Sequence, residues 1–271
     1  MTFYSILVIS LNLAFGFTGY LNLGHMVFFG IGAYASAILT INGVPWYTAM
    51  IIAGLLTFVL GAIISAITVR LKGDYFQIVT LGLAFIAVAV SRNWISLTRG
   101  ALGIPGVPDI YANDLYYMIF SWAIAGISIL FFYKLINSET GKIFQAIRDD
   151  ETAASILGKN TYFYKVLSIS ISTFFAGIAG VLYVHHVKFI DPTIFDLGFF
   201  IFVLSMLFVG GLASLKGSVI GVFLLSIFSE LVKYVPISAG IAGAFREMLY
   251  IVLMILILIY RPRGILGKVD V

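Results

Sequence analysis

Few side chains in this 271-residue chain can do chemistry, because charged residues make up only 10% of it. The first candidates are Asn22, Gly24 and His25. They lie inside Met1–Val69, a run with no Asp, Glu, Lys or Arg. Glycine takes backbone angles that a helix interior disfavours, and Asn and His side chains can satisfy backbone groups freed by a helix break. Two readings follow: a broken element beside a pathway, or a tight turn between spans with His25 capping a helix or packing at an interface. Glu230 is a carboxylate in an apolar segment, a placement that costs about 2.5–3.5 kcal/mol unless it faces protein or water. It reads as a path-lining group or a cross-subunit ion pair, or else as a helix-end residue snorkelling beside Lys233 near Pro236. His185 and His186 adjoin Lys188 and Asp191. A metal site needs more ligands than two adjacent histidines, so an interface pair fits better. No paired carboxylates or Ser/His constellation stand out, so no catalytic residue and no metal ligand is assigned. A Gly-x-x-x-x-Gly-Lys-Ser/Thr phosphate loop is missing from the sequence.

The elements that hold these residues are dictated by composition. The chain is 61% hydrophobic, with 27 glycines and 24 phenylalanines. A soluble fold of this size would lack the polar residues to cover its core. Lipid removes that problem. A span needs roughly 20 mostly apolar residues, and such stretches recur at Met1–Tyr20, Met26–Ile41, Trp46–Val69, Tyr75–Ser91, Tyr116–Tyr133, Val166–Val184, Leu197–Leu215 and Ser218–Val235. Met248–Tyr260 belongs to one more, beginning near Ala244. The sequence therefore predicts an all-α, polytopic helical membrane protein with about nine transmembrane segments, some short or broken. Met1-Thr2-Phe3-Tyr4 lacks the basic start of a secretory signal and reads as the first span itself. With no cysteine, disulfides say nothing about compartment. Gly177 and Gly180, with Ala176, and Gly30 with Ala33-Tyr34-Ala35 read as helix-packing surface.

The net charge of +4 is spread over segment ends, which suits orientation in a membrane and not nucleic acid. If Asn137–Lys165 is cytoplasmic, Arg70, Lys72, Lys134, Lys142, Arg148, Lys159, Lys165, Lys216, Arg261, Arg263 and Lys268 fall inside. Arg92, Arg99, Lys188, Lys233 and Arg246 fall outside. This bias predicts an external N-terminus and a cytoplasmic C-terminus. Asn93–Leu115, with Gly100, Gly103, Pro105, Gly106 and Pro108, reads as a glycine- and proline-rich loop.

The segment "ETGKIFQAIRDDETAASILGKN", Glu139 to Asn160, has a helical pattern. Ile143, Ile147 and Ala154 share a stripe, with Ala146 and Ile156-Leu157 near it. Asp149, Asp150 and Glu151 lie mostly on another face. Gly158 is a natural C-cap, with Lys159 at the negative end of the dipole. This predicts one short amphipathic helix that lies on the membrane or docks into a groove, or simply links two spans. The three acids would suit a basic partner.

Several blocks in order carry a family resemblance. They are Asn12-Leu13, Gly16, Gly19, Leu23-Gly24-His25 and Phe29-Gly30-Ile31-Gly32-Ala33-Tyr34. Next come Asp74-Tyr75-Phe76-Gln77-Ile78-Val79-Thr80-Leu81-Gly82 and Ala146-Ile147-Arg148-Asp149-Asp150-Glu151 with Ala153-Ala154 and Leu157-Gly158. Gly210-Gly211-Leu212-Ala213-Ser214 and Arg261-Pro262-Arg263-Gly264-Ile265-Leu266-Gly267 complete the set. Together they resemble ABC importer permeases of the branched-chain amino acid type, specifically the LivM-like subunit. The family often has Ser where Asn22 stands.

The resemblance implies one transmembrane permease domain over 1–271, with 137–165 as a cytoplasmic loop carrying an EAA-like coupling helix. It implies a multi-pass protein of a prokaryotic cell (inner or plasma) membrane. Its partners would be a LivH-like second permease, two ABC ATPase subunits and an extracytoplasmic binding protein delivering Leu, Ile or Val. ATP would bind to the partner subunits, and this chain would hold no cofactor. Arg148, Asp150, Glu151, Ala154 and Gly158 would couple to the ATPases. Asn22, Gly24, His25 and Glu230 would mark the path or helix break. Permeases for urea and other small amides share much of the pattern and stay open as an alternative. A stand-alone secondary transporter or channel is the alternative of another class. The scarcity of intramembrane charge argues against ion-driven carriage.

Overall fold

The structure is a computed structural model that describes residues 1–71, 73–111, 113–232, 239–261 and 263–267, without the side chains of 239–242, 244 and 246. Lys72, Lys233, Pro236, Pro262, Lys268 and the Arg246 side chain therefore lie outside the described residues. Helix α1 (Thr2–Asn12) runs into one π-type turn, Leu13–Phe17. There follow α2 (His25–Ile41), α3 (Trp46–Thr68), α4 (Asp74–Asn93) and the single turn α5 (Ile95–Thr98). Next are α6 (Asp114–Asn137), α7 (Glu139–Asp149), α8 (Glu151–Ile156) and α9 (Thr161–Val187). The bundle closes with α10 (Leu197–Gly210), α11 (Leu215–Val232) and α12 (Ala239–Tyr260). Apolar runs of this length become helices because a helix satisfies its own backbone in lipid.

Helices α3, α4, α6, α9 and α11 are long and apolar enough to cross a membrane. The apolar stretches Thr2–Phe17, His25–Ile41, Leu197–Gly210 and Glu247–Tyr260 are shorter. At 1.5 Å per residue, α2 covers about 25 Å of a roughly 30 Å hydrocarbon layer. The expected polytopic all-α fold with short and broken helices is thus present.

Helix α9 is the central post: 67% of its apolar window is buried, against 22% for α4 and α6. It packs on α2 and α3 through glycine. Any side chain at Gly32 would strike the backbone of Gly177, and one at Gly180 would strike the Phe29 carbonyl. Small residues allow such close approach where no hydrophobic effect drives helices together. Polar cross-links add to it. Ser172 donates to the Ser10 carbonyl at 2.6 Å, and the hydroxyls of Thr18 and Ser168 are 2.6 Å apart. Conversely, Ile51, Leu55, Val59, Ile63 and Ile67 leave an exposed apolar stripe along α3, as a lipid-facing helix should.

Three expectations need correction. The Asn93–Leu115 segment is more than a loop. Besides α5 it holds strand β1 (Ile104–Pro105), paired antiparallel with β2 (Phe189–Ile190) after α9. The span expected over Leu197–Leu215 stops at Gly210, because the chain reverses through Gly211 (φ 105°) and Ala213 (φ 56°), and Leu215 starts α11. The amphipathic segment is two helices, not one. Asp150 leaves helical geometry at φ −156°, ψ 100° and its carboxylate caps α8 instead.

Candidate functional site

After the π-type turn the chain runs non-helically from Thr18 to Gly24. Asn22 and Gly24 build the turn. The Asn22 Oδ1 accepts the Gly24 N–H at 3.0 Å, and the Asn22 carbonyl accepts the His25 N–H at 3.2 Å. Leu23 N–H donates to Thr80 Oγ1 on α4 at 3.2 Å. A Cβ at Gly24 would press on the Thr80 carbonyl. His25 is fully buried, with Nε2 3.1 Å from Ser10 Oγ on α1. The Ser10 hydroxyl also reaches the Leu7 carbonyl, at 2.8 Å. Nδ1 has no partner among the described residues. His25 opens α2 but does not cap it with its side chain. It packs and bridges.

A second break meets the same helix. Asn12, fully buried on α1, donates to the Ser214 carbonyl at 3.2 Å and to Ser218 Oγ at 2.7 Å, and accepts the Ala213 N–H at 3.0 Å. One side chain thus satisfies the backbone of the α10–α11 reversal. The C-terminal segment braces it: Ile265 and Leu266 N–H donate to the Val209 and Gly210 carbonyls, each at 3.0 Å.

The α7–α8 pair lies against the foot of this arrangement. Ile143, Ile147 and Ala154 bury together beside Tyr164 of α9. Arg148 Nη1 donates to the Gly16 carbonyl at 2.9 Å, inside the π-type turn. Its aliphatic part rests on Gly19, where any side chain would press on it. Glu151 accepts from Lys165 Nζ at 2.6 Å, from Thr161 at 3.2 Å and from Tyr20 at 3.3 Å. Burial acts to raise the Glu151 carboxyl. The Lys165 hydrogen bond and charge, with Thr161 and Tyr20, outweigh it and hold the group below its ordinary value.

The three acids are therefore occupied. Asp149 pairs with Arg148 at 2.8 Å, Asp150 caps Thr152 and Ala153, and Glu151 faces inward. This corrects the expected common acidic face, because the break at Asp150 turns α8 relative to α7. It also turns Ile156 and Leu157 out of the buried stripe, to 79% and 77% exposure. Gly158 ends the pair at φ +77° with open space around it.

Arg148, Asp150, Glu151, Ala154 and Gly158 thus form one unit, tied to the chain just before Asn22, Gly24 and His25. Glu230 does not join them. It lies near the other end of α11, two residues before that helix's last described residue. His185 is buried between Ser36 Oγ at 3.0 Å and the Pro108 carbonyl at 2.8 Å, and His186 stacks on Tyr117. His185 therefore packs within this chain, whereas His186 stays exposed beside Tyr117. Sequence reasoning passed over Asn12, Ser10, Tyr20, Thr80 and Lys165 as site residues. The signal for Asn12 was its place as the one amide side chain in the apolar stretch Met1–Tyr20.

Comparison with known proteins shows the family. Residues 1–258 match the family model described as branched-chain amino acid transport system / permease component. The high-affinity branched-chain amino acid transport system permease protein LivM of Escherichia coli (strain K12) is 31% identical, over 97% of this chain and 67% of that protein. The probable branched-chain amino acid transport permease protein LivM of Methanocaldococcus jannaschii is 28% identical over 98% and 90%. The LivH permease protein of the same Escherichia coli system is 26% identical over 99% and 92%. No solved structure matches. These relatives are transport permeases, not enzymes, and the chain belongs to the branched-chain amino acid transport system permease family.

Proposed function

We propose that this chain forms half of the translocation path of an ATP-driven importer for Leu, Ile or Val. In this reading a LivH-like permease supplies the other half. Two ATPase subunits bind the ATP and dock beneath α7 and α8, and an extracytoplasmic binding protein delivers substrate. The α7–α8 end then faces the cytoplasm, with the N-terminus outside.

The observation that carries the reading is the α7–α8 pair. One side is fixed to the bundle through Arg148–Gly16 and Glu151–Lys165, and the other projects Ile156 and Leu157 into open space. An apolar tip on a rigidly held base is what a socket on another subunit requires. Arg148 lands on Gly16, and Glu151 also accepts from Tyr20, so a push on this pair reaches the break that leads through Asn22 and Gly24 to His25. Motion would pass as a rigid-body shift. Gly158 lets the chain turn away directly behind the tip.

The test is uptake of labelled leucine into inside-out-controlled membrane vesicles or proteoliposomes holding the whole complex, with Leu157→Asp as the probe. ATP-dependent uptake by the unmodified complex, lost in the variant together with ATPase retention, is expected. Full coupled uptake by Leu157→Asp would remove the tip from the mechanism.

A further inference from the structure

At the end of the bundle opposite α7 and α8, the structure holds a cavity of about 580 Å³ that no step above uses. That volume lies within the range of small-ligand sites, roughly 300–1,000 Å³. Its walls come from five helices and combine two kinds of group. Tyr4, Phe202 and Tyr250 form an aromatic side: Tyr4 meets Phe202 edge-on at 5.5 Å between centroids, and Phe202 lies 4.6 Å from Tyr250. Asp196 and Glu247 supply carboxylates, and Ser229, which accepts a hydrogen bond from the Tyr250 hydroxyl at 2.7 Å, supplies a polar floor. No Lys or Arg is among its described lining residues.

The placement of Glu247 is specific. Its carboxylate lies against Gly198 in the first turn of α10, so that any side chain at Gly198 would strike it. That turn has no side-chain cap, and the positive end of a helix dipole favours a carboxylate there. Asp196 faces Arg92 only at 3.9 Å, both side chains about half exposed, a separation at which solvent screens the pair heavily. Glu247 makes no ion pair among the described residues.

Carboxylates beside aromatic faces, with Arg92 only at a screened 3.9 Å from Asp196 and no ion pair on Glu247 among the described residues, are the chemistry that recognises an ammonium group attached to an apolar body. We infer that this cavity is a transit site for the transported amino acid, holding its α-ammonium between Glu247, Asp196 and the rings of Tyr4 and Tyr250. This rests on the importer reading above and names the residues of this chain that would meet the substrate first.

The chain has no cysteine, which makes a direct test simple. Ser229→Cys, with Thr193→Cys as a second reporter on the same wall, is introduced into the complete transporter. It is then treated with trimethylammonium-ethyl or sulfonato-ethyl methanethiosulfonate. The cationic reagent should react faster by about tenfold, and Glu247→Gln should cut that preference at least about threefold. Leucine and leucinamide should slow the reaction, while 4-methylpentanoate, which lacks the ammonium, should not. An absent charge preference, an unreactive thiol at both positions, or equal protection by 4-methylpentanoate would overturn the site. Unprotected thiols in a complex that still imports leucine would overturn it while leaving the importer reading intact. Failure of the unmodified complex to import leucine would instead overturn that reading.

Discussion

Replacing Glu151 by Gln isolates what holds the α7–α8 pair to the bundle. The Lys165 side chain is only 6% exposed and that of Glu151 is 32% exposed, at 2.6 Å. Breaking a fully buried pair costs about 3–5 kcal/mol. Partial exposure of Glu151 lets water replace some of the loss, and Lys165 keeps its bond to the Val69 carbonyl at 3.3 Å. A net cost of about 2 kcal/mol follows. Helix α8 is six residues long, too short to persist without tertiary support, so the loss should appear there first. About 2 kcal/mol corresponds to roughly 30-fold more frequent local opening. Hydrogen–deuterium exchange on the purified protein reads it directly, at the Ala154, Leu157, Gly158 and Lys159 amides that bond within this turn. Faster exchange there, with α9 unchanged, is expected. Unchanged exchange over 154–159 in Glu151→Gln would refute the ion pair as the anchor. The pH dependence has a definite sign. The native carboxyl of Glu151 is held below its ordinary 4.5. Its stabilisation is therefore complete above that value and lost as pH falls through the lower native one. Protection of α8 should persist at neutral and mildly acidic pH and fade only below the usual carboxylate range.

Other perturbations follow from the same contacts. Asn12→Leu strips the Ala213 N–H of its acceptor and should lower stability by about 1–3 kcal/mol, seen as a lower thermal midpoint in detergent. Gly180→Leu forces a side chain into the Phe29 carbonyl and should abolish folding, read as loss of monodisperse protein, whereas Gly126→Leu, which faces open space, should be tolerated. His25→Ala empties a fully buried position against Ser10 and should impair assembly or uptake; unimpaired uptake by the assembled variant would free His25 of any role. Gly158→Val places a β-branched residue at φ +77°, at a cost of about 1–2 kcal/mol. It should leave insertion intact while lowering uptake per ATP hydrolysed, measured in proteoliposomes.

Much of this architecture was legible because lipid simplifies the code. Long uncharged runs had to become helices, and α3, α4, α6 and α9 appear where the runs stand. The punctuation was harder. The reversal at Gly211–Ser214 is written in one glycine with φ 105° and in a buried amide about 200 positions away, and no periodicity spans that gap. The break at Asp150 was hidden because Ile143, Ile147 and Ala154 keep a helical stripe across it, while an aspartate can equally sit on a helix surface or cap the next helix. Asn22, Gly24 and His25 announced a turn through residue type alone, but their partners Thr80 and Ser10 lie on other helices. Lys165 read only as an orientation charge, since sequence cannot reveal that Glu151 turns inward to meet it.

The central claim is that this chain works as the permease half of a larger ATP-driven machine. The most direct measurement is gentle detergent purification of the chain from its native membrane, with identification of everything that accompanies it. Two ATPase subunits and a second permease are the result this account requires. Recovery of the chain alone, with no ATPase even after crosslinking, would contradict it and strip α7 and α8 of their role.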